Sequence, residues 1–309
     1  MSPSVTVRAP GKINLQLAVG PLGADGYHPL ATVFQAVDLY ETVRATVRDD
    51  DEIRVTVEAP RTLGIDTAAV PTDASNLAVK AAYALRAAYG MDLGVDLHIV
   101  KGVPVAGGMA GGSADAAAAL VACAEAWGMA VSRQELDTIA ASLGADVPFS
   151  LHGHTAVGLG RGSDLSPAMS RGEFHWTLAT QRAGLSTPAV YGRFDEQVAD
   201  GAPVEADPQI SQELMAALMS GDPHRVGAAL SNDLQAAALD LAPHLSRVMD
   251  AAREAEALGV MVSGSGPTVA ALGRSRQHAL AIAAHISAAD VADSVLTASG
   301  PAPGATIVN

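Results

Sequence analysis

A glycine-rich segment constrains this chain more than any other feature of the sequence. Four of the six residues from Gly107 to Gly112 are glycine. Before them, apolar and polar residues alternate from Val95 to Ile99, which predicts a half-buried strand. After them, the alanine-rich stretch from Asp115 to Trp127 predicts a helix that ends at Gly128. The sequence therefore predicts a strand, a glycine loop and the start of a helix.

This arrangement favours a phosphate group as the ligand of the loop. Small residues let the backbone approach a ligand closely, and the first N–H groups of a helix have no partner within it. These N–H groups lie at the positive end of the helix dipole, where an anion is stabilised. Ser113 is placed to cap the helix or to offer its hydroxyl to a phosphate or a metal ion. A flexible loop with a serine cap is the alternative, and the spacing is that of neither a Walker A loop nor a dinucleotide fold.

The composition is that of a globular protein long enough for two domains, with 309 residues, 49% hydrophobic and 17% charged. The formal net charge of −14 argues against a nucleic-acid-binding surface. A single cysteine, Cys123, excludes a disulfide within the chain and fits a reducing cytoplasm, where we expect it to be a small buried hydrophobe. No apolar run reaches about 18 residues, so no membrane partner is expected. A monomer and a homodimer both stay open.

The order of predicted elements favours an α+β fold with mixed or antiparallel sheets. Strands are predicted from Val5 to Val19, Val43 to Arg48 and Ile53 to Val57, all before the glycine loop. Helices cluster after the loop, which does not fit a regular βαβ array. A domain boundary is expected between residues 165 and 175.

The glycine loop resembles the second motif of the GHMP small-molecule kinases, P-x-x-x-G-L-G-G-G-S-S-x-A-A. The match runs from Pro104 to Ala117 and departs from the motif at Met109, Ala110 and Ala114. Alanine takes a positive φ less readily than glycine, so we expect Ala110 to have an ordinary backbone angle. The resemblance implies an ATP site made of Asn76, Lys101, Pro104, Gly107, Gly108, Met109, Ala110, Gly111, Gly112 and Ser113.

Two further stretches resemble motifs of the same family and imply its catalytic pair. The stretch Ala-Pro-Gly-Lys-Ile-Asn-Leu contains Lys12 and Asn14, which a strand places on one face. The stretch Gly-Ala-Asp-Val-Pro contains Asp146, and Pro148 predicts that Asp146 sits in a turn just past a helix end. From the residues alone, an exposed strand lysine and a turn aspartate are the ordinary interpretations. The resemblance implies instead that Lys12 and Asp146 are catalytic. A glycine turn within 260–270 resembles the third motif.

One branch of the family is indicated by Asp-Gly-Tyr-His at residues 25–28 and by the unbroken Gly-Ala-Asp-Val-Pro. The acceptor of this branch is a cytidine-diphosphate-linked methylerythritol, phosphorylated on its 2-hydroxyl in the non-mevalonate isoprenoid route. The resemblance implies that Tyr27 and Tyr191 stack on the cytosine and that His28 reads it. Asn14 and Thr187 would hold the polar middle of the substrate, and Thr187 lies four residues from Tyr191 on one helix face.

The resemblance also implies phosphoryl transfer from ATP, in which positioning and charge stabilisation carry most of the catalysis. Asp146 would accept or orient the hydroxyl proton, and Lys12 would keep Asp146 ionised. Mg²⁺ would bridge phosphate oxygens, with Ser113 as the best protein ligand. A two-domain GHMP kinase fold is expected, with residues 1–168 binding ATP, residues 169–309 binding substrate and a cleft between them.

Other functions stay open at this point. The protein could be another GHMP kinase that acts on homoserine, mevalonate or a sugar, although residues 25–28 argue against this. A nucleotide-binding regulator without catalysis is a second alternative, against which the presence of both Lys12 and Asp146 speaks. A nicotinamide oxidoreductase is least favoured, because the glycine spacing is wrong.

Overall fold

The computed structural model describes residues 3–308, which form two β-sheets and the helices packed on them. The strands are β1 (Ser4–Val19), β2 (Leu30–Arg48), β3 (Ile53–Glu58), β4 (Gly94–Val100), β5 (Thr155–Gly160), β6 (Asp164–Pro167), β7 (Phe174–Thr180), β8 (Ser231–Asn232), β9 (Gly259–Val262), β10 (Val269–Gly273), β11 (Ser294–Gly300) and β12 (Thr306–Val308). The helices are α1 (Leu77–Tyr89), α2 (Gly111–Ala126), α3 (Arg133–Leu143), α4 (Val147–His152), α5 (Thr187–Ala199), α6 (Gln212–Ser220), α7 (Pro223–Ala228), α8 (Gln235–Leu241), α9 (Leu245–Glu254) and α10 (Arg276–Ala288). Among these residues, no helix combines the length and apolarity needed to cross a bilayer.

The larger sheet has the order β12-β1-β2-β4-β3, with β5, β6 and β8 added beside this path. Its centre is the long antiparallel pair of β1 and β2, whose register runs from Ser4 opposite Thr46 to Val19 opposite Leu30. The predicted strand from Val43 to Arg48 is thus only the second half of β2. The first half was missed because residues 31–37 are buried on both faces, which removes the alternation that marks a strand.

The smaller sheet has the antiparallel order β11-β7-β10-β9 and is contacted by α7, α8, α9 and α10. Its buried residues share two clusters with residues of β1, so the two sheets pack on a common core. Two short strands from the C-terminal part of the chain, β8 and β12, join β1 in the larger sheet. The α+β prediction with mixed and antiparallel sheets is confirmed. The division at residue 168 stays a prediction.

Several local signals in the sequence were interpreted correctly. Asn76 caps α1, because its side chain accepts the Ala78 N–H, and Gly90 ends the helix in the left-handed conformation. Ser132 and Glu135 form a capping box at the start of α3, as the Ser-x-x-Glu pattern at residues 132–135 indicates. Cys123 lies on α2 and is fully buried in the core, as expected for a small hydrophobe.

The start of α2 differs from the prediction. The helix begins at Gly111, four residues earlier than Asp115, so Ser113 lies within its first turn and does not cap it. The residue at the cap position is Ala110, whose φ of 59° is left-handed, so the expectation of an ordinary angle is wrong. This conformation costs alanine roughly 1–2 kcal/mol. It directs the chain from the loop into the first helical turn, which the Ala114 N–H closes by donating to the Ala110 carbonyl at 2.9 Å.

Asp146 lies in a turn just past the end of α3, as predicted, but a second helix follows it directly. Val147 is the first residue of α4, and Pro148 lies in the first turn, where a proline needs no N–H partner. Asp146 therefore precedes a helix and has φ −86° and ψ −10°. The rule that a residue before proline avoids helical angles was overridden here, because Val147 and Pro148 are both buried in the protein core.

A buried cluster of three charged side chains, here called the Lys101 triad, ties the glycine-loop helix to the larger sheet. Lys101 Nζ lies 2.7 Å from Glu41 Oε1 on β2 and 2.5 Å from Asp115 Oδ2 on α2. Each side chain is at most 3% exposed. A Cβ added at Gly111 would lie 2.7 Å from Glu41 Oε1, so the triad abuts the first residue of α2. The triad therefore holds the first turn of α2 against the larger sheet.

The triad holds two carboxyl groups against one ammonium, and burial disfavours their ionised forms. Burial, together with the nearby charge of Asp115, raises the pKa of Glu41 to about 8 although Lys101 opposes the shift. Burial also raises the pKa of Asp115 to about 6, again against the pull of Lys101. The native protein therefore keeps a proton in the triad at neutral pH.

Replacing Lys101 by methionine should destabilise the fold by about 3–5 kcal/mol, because two buried carboxyl groups lose their cation. The free energy of unfolding in urea measures this. Lys80→Met, on the exposed face of α1, is the matched control and should change it by less than about 0.5 kcal/mol. A loss from Lys101→Met no larger than that of the control would show that the triad does not hold the fold.

The triad should also make stability depend on pH. Glu41 and Asp115 have higher pKa values in the native state than in the unfolded chain. At pH values between the unfolded and the native pKa values, the native state therefore binds more protons than the unfolded chain does. Stability should therefore fall as the pH rises from about 5 to about 8. Glu41→Gln cannot ionise and should flatten this decline, measured by urea unfolding across that range. Equal slopes in the variant and the wild type would refute the assignment of the proton to Glu41.

Candidate active site

Three cavities lie side by side, and the third shares lining residues with each of the other two. The first, of about 860 Å³, is called the acceptor cavity; its lining includes Tyr27, His28, Arg161, Thr187, Tyr191 and Asp195. The second, of about 340 Å³, is called the loop cavity; its lining includes Asn76, Lys101, Pro104, Gly107 to Gly112 and Asp115. The third, of about 290 Å³, is called the central cavity; its lining includes Lys12, Asn14, Thr32, Phe34, Gly108, Ala110, Asp146, Arg161, Thr187, Tyr191 and Ser265. Gly108 and Ala110 belong to the loop and central cavities, so the central cavity lies between the other two.

The glycine loop is held by close backbone contacts on two sides. Gly108 has φ +73°, and a Cβ there would lie 2.5 Å from the Ser263 carbonyl oxygen and 3.0 Å from that of Gly266. Only glycine fits this position, since its neighbours are backbone atoms. On the other side, the Lys12 N–H donates to the Met109 carbonyl at 3.0 Å. The loop is thereby fixed against β1 and against the turn between β9 and β10.

Lys12 and Asp146 meet in the central cavity. Lys12 is 6% exposed and donates from Nζ to Asn14 Oδ1 at 2.8 Å. The distance from Lys12 Nζ to Asp146 Oδ2 is 4.0 Å, an ion-pair contact that is too long for a hydrogen bond. Asn14 is held in turn by its donation to Thr32 Oγ1 at 2.8 Å. The strand alternation on β1 thus places an oriented ammonium beside a carboxylate from a segment 134 residues later in the chain.

The inner wall of the acceptor cavity is aromatic and polar. His28 Nε2 lies 2.8 Å from Asp195 Oδ1, and the His28 ring lies 4.9 Å from that of Tyr191. Burial, with a smaller contribution from the charge of Asp146, raises the pKa of Tyr191 to about 12, so the phenol stays neutral. Thr187 Oγ1 lies 2.9 Å from Ser265 Oγ, which links α5 to the third motif.

Tyr27 lies at the rim of the acceptor cavity and is 53% exposed. The Arg161 guanidinium carbon lies 3.5 Å from the centre of its ring, and Arg161 Nη2 lies 3.2 Å from Asp25 Oδ2. Arg161 and Asp195 were not found from the sequence. Arg161 stands between two glycines of a turn and Asp195 within an amphipathic helix, so neither carries a local signal of binding.

Two residues that were predicted for the ATP site, Asn76 and Lys101, make hydrogen bonds or ion pairs within the protein. The Asn76 side chain accepts the Ala78 N–H and donates to the Pro71 carbonyl at 2.7 Å, so its polar atoms are engaged with the backbone. Lys101 is held in the triad. Ser113 is half-buried in the first turn of α2 beside Gly112. These residues shape the loop cavity, and their contact with a nucleotide stays a prediction.

Comparison with known proteins agrees with this geometry. The model of the GHMP kinases N terminal domain matches residues 76–154, and that of the GHMP kinases C terminal domain matches residues 214–292. A protein of Streptomyces avermitilis named 4-diphosphocytidyl-2-C-methyl-D-erythritol kinase is 52% identical over 99% of this chain and 100% of its own length.

Solved structures extend the comparison. A crystal structure of 4-(cytidine 5'-diphospho)-2C-methyl-D-erythritol kinase is 28% identical, with a TM-score of 0.74 over 95% of this chain and 98% of that one. Homoserine kinase from Cytophaga hutchinsonii also has a TM-score of 0.74, over 100% of this chain and 98% of that one, but at 20% identity it supports the fold alone. The chain therefore belongs to the GHMP kinase family, and within it to the family of its relatives named 4-diphosphocytidyl-2-C-methyl-D-erythritol kinase.

Proposed function

We propose that this protein transfers the γ-phosphoryl group of ATP to the 2-hydroxyl of 4-diphosphocytidyl-2-C-methyl-D-erythritol, in the non-mevalonate route to isoprenoid precursors. The observation that carries the proposal is the position of Lys12 and Asp146. They meet in a cavity that lies between a glycine loop suited to phosphates and an aromatic cavity suited to a base. We place nucleotide binding mainly in residues 1–168 and assign residues 169–309 to acceptor binding.

Asp146 acts on the acceptor hydroxyl. Its carboxylate accepts the hydroxyl proton, or orients the hydroxyl, as the oxygen attacks phosphorus. Lys12 lies beside Asp146 and offsets negative charge on the transferring group. The 4.0 Å separation of the two side chains leaves space for the reacting oxygen beside both. Asn14 keeps the ammonium in place.

The residues around the loop fit an ATP–magnesium pair. The N–H groups of the first turn of α2 lack partners within the helix, and residues 107–112 carry no large side chain except Met109, which is fully buried. Polyphosphate oxygens would accept from these N–H groups. Magnesium usually takes one or two protein oxygens in addition to phosphate. Ser113 Oγ, in the same turn, is the proposed protein ligand, and the ion would neutralise charge on the polyphosphate.

The acceptor cavity suits a cytosine base. An ionised Asp195 would keep the proton of His28 on Nε2, which leaves Nδ1 as an acceptor for an amino group such as that of cytosine. Tyr191 and Tyr27 provide aromatic faces for stacking. Thr187 and Asn14 would hold the middle of the substrate, since both line the central cavity.

A substrate panel tests the proposal against other members of the family. ATP consumption coupled to product analysis should show turnover with the cytidine-linked substrate and none above background with mevalonate, homoserine or galactose. Faster turnover with one of these compounds would replace the proposed acceptor. Nucleotide binding without turnover on any alcohol would favour the non-catalytic regulator.

Asp146→Asn should fold normally and lose on the order of 10²–10⁴-fold in kcat, because the amide cannot accept the hydroxyl proton. Single-turnover kinetics with saturating ATP measure the loss, and thermal unfolding checks the fold. Asp92→Asn, an exposed carboxylate outside the cavities, is the control and should keep wild-type kcat. Turnover of Asp146→Asn within a few-fold of wild type would remove Asp146 from the mechanism.

Tyr27→Ala should raise the KM for the cytidine-linked substrate by about 10-fold, the worth of a lost stacking contact, and leave the KM for ATP unchanged. Steady-state kinetics with each substrate varied in turn measure both values. Tyr83→Ala, which is similarly exposed on α1, controls for the loss of a surface ring. Equal changes in the two KM values would contradict a role in acceptor binding.

A further inference from the structure

We propose that Arg161 binds the diphosphate of the acceptor and thereby makes the enzyme specific for a diphosphate-linked substrate. The inference rests on the proposed function, which it extends by assigning the diphosphate subsite.

The substrate must cross from the acceptor cavity into the central cavity. Its base lies beside His28 in the first, and its reacting hydroxyl lies beside Asp146 in the second. The diphosphate joins these two ends, so it lies at the boundary between the cavities. The lining residues common to both cavities include Arg161, Thr187 and Tyr191. Among these three, Arg161 alone carries a charge.

Few cationic side chains line the acceptor and central cavities and could bind a diphosphate. The chain has a formal net charge of −14, and the two cavities contain the carboxyl groups of Asp195 and Asp146. Among their lining residues, the lysine and arginine side chains are those of Lys12 and Arg161. Lys12 is bonded to Asn14 and paired with Asp146. Arg161 is therefore the cation placed to neutralise a second anionic group.

The contacts of Arg161 hold its guanidinium in place and leave it able to bind a ligand. Its guanidinium lies on the Tyr27 ring at 3.5 Å, which fixes the plane of the group at the cavity rim. Its ionic partner is Asp25 at 3.2 Å, and both side chains are more than half exposed, so this pair contributes little to stability. A diphosphate presents the same paired oxygen acceptors as a carboxylate, with more charge. The diphosphate of the substrate can therefore take the place of Asp25 as the partner of Arg161.

The test compares cytidine with cytidine 5'-diphosphate as ligands, using isothermal titration calorimetry. Wild type should bind the diphosphate more tightly than cytidine. Arg161→Gln should lower the affinity for cytidine 5'-diphosphate by about 10- to 100-fold, because charge-assisted hydrogen bonds are lost, and should change the affinity for cytidine by less than about 3-fold. Arg161→Lys keeps the positive charge but loses the paired N–H donors of the guanidinium. Its affinity for cytidine 5'-diphosphate should therefore lie between those of the wild type and Arg161→Gln. Arg182→Gln, an exposed arginine outside both cavities, is the matched control and should leave both affinities unchanged.

Steady-state kinetics provide a second readout. Arg161→Gln should raise the KM for the cytidine-linked substrate to a similar extent and leave the KM for ATP unchanged. If Arg161 only supports the Tyr27 ring, cytidine and cytidine diphosphate will weaken together, which overturns the proposal. An unchanged preference for the diphosphate in Arg161→Gln overturns it as well, while the proposed function stands. Failure of the wild type to bind either ligand rejects the proposed function and this inference with it.

Discussion

The approach of the glycine loop to the turn between β9 and β10 is the contact on which the site depends. Backbone meets backbone there, since a Cβ at Gly108 would lie 2.5 Å from the Ser263 carbonyl oxygen. The contact joins residues more than 150 positions apart, and Gly108 lines both the loop cavity and the central cavity. The next loop residue, Met109, accepts the Lys12 N–H at its carbonyl, so the same loop is also fixed relative to Lys12. Side chains in the loop would push it away from β1 and from the turn between β9 and β10. The loop therefore consists mainly of glycine.

The three lysines of the chain show how surroundings decide what one charge does. Lys101 contacts two buried carboxyl groups, one on β2 and one on α2, so its charge holds α2 to the sheet. Lys12 has a neutral amide at 2.8 Å and a carboxylate at 4.0 Å, so its charge lies in the central cavity and is only partly offset by Asp146. Lys80 is solvent-exposed and takes part in neither arrangement. An acidic protein can thus bind anionic substrates because it places a few cations where carboxylates do not neutralise them.

The sequence predicted the parts of the site whose geometry is local. Alternation along β1 placed Lys12 and Asn14 on one face, and glycine content identified the loop. The start of α2 was misplaced, because the left-handed angle of Ala110 is imposed by the loop's contacts elsewhere and not by alanine itself. The start of α4 at Val147 was missed for a related reason, since burial of Val147 and Pro148 outweighs the local effect of the proline. The predicted pairing of Lys12 with Asp146 came from the family resemblance, as no local pattern connects two residues so far apart.

Acceptor recognition is the part that local patterns reveal least. The loop cavity is built largely from one continuous region of backbone, whereas the acceptor cavity draws side chains from segments near residues 27, 161, 191 and 195. A homoserine kinase matches the whole fold with the same TM-score as a cytidine-linked kinase, so the backbone alone does not select the acceptor. Selection must therefore lie in side chains that can change without disturbing the loop or the Lys12 contact. Arg161 is of this kind, because it is exposed, lies on a turn between two short strands and touches the core little.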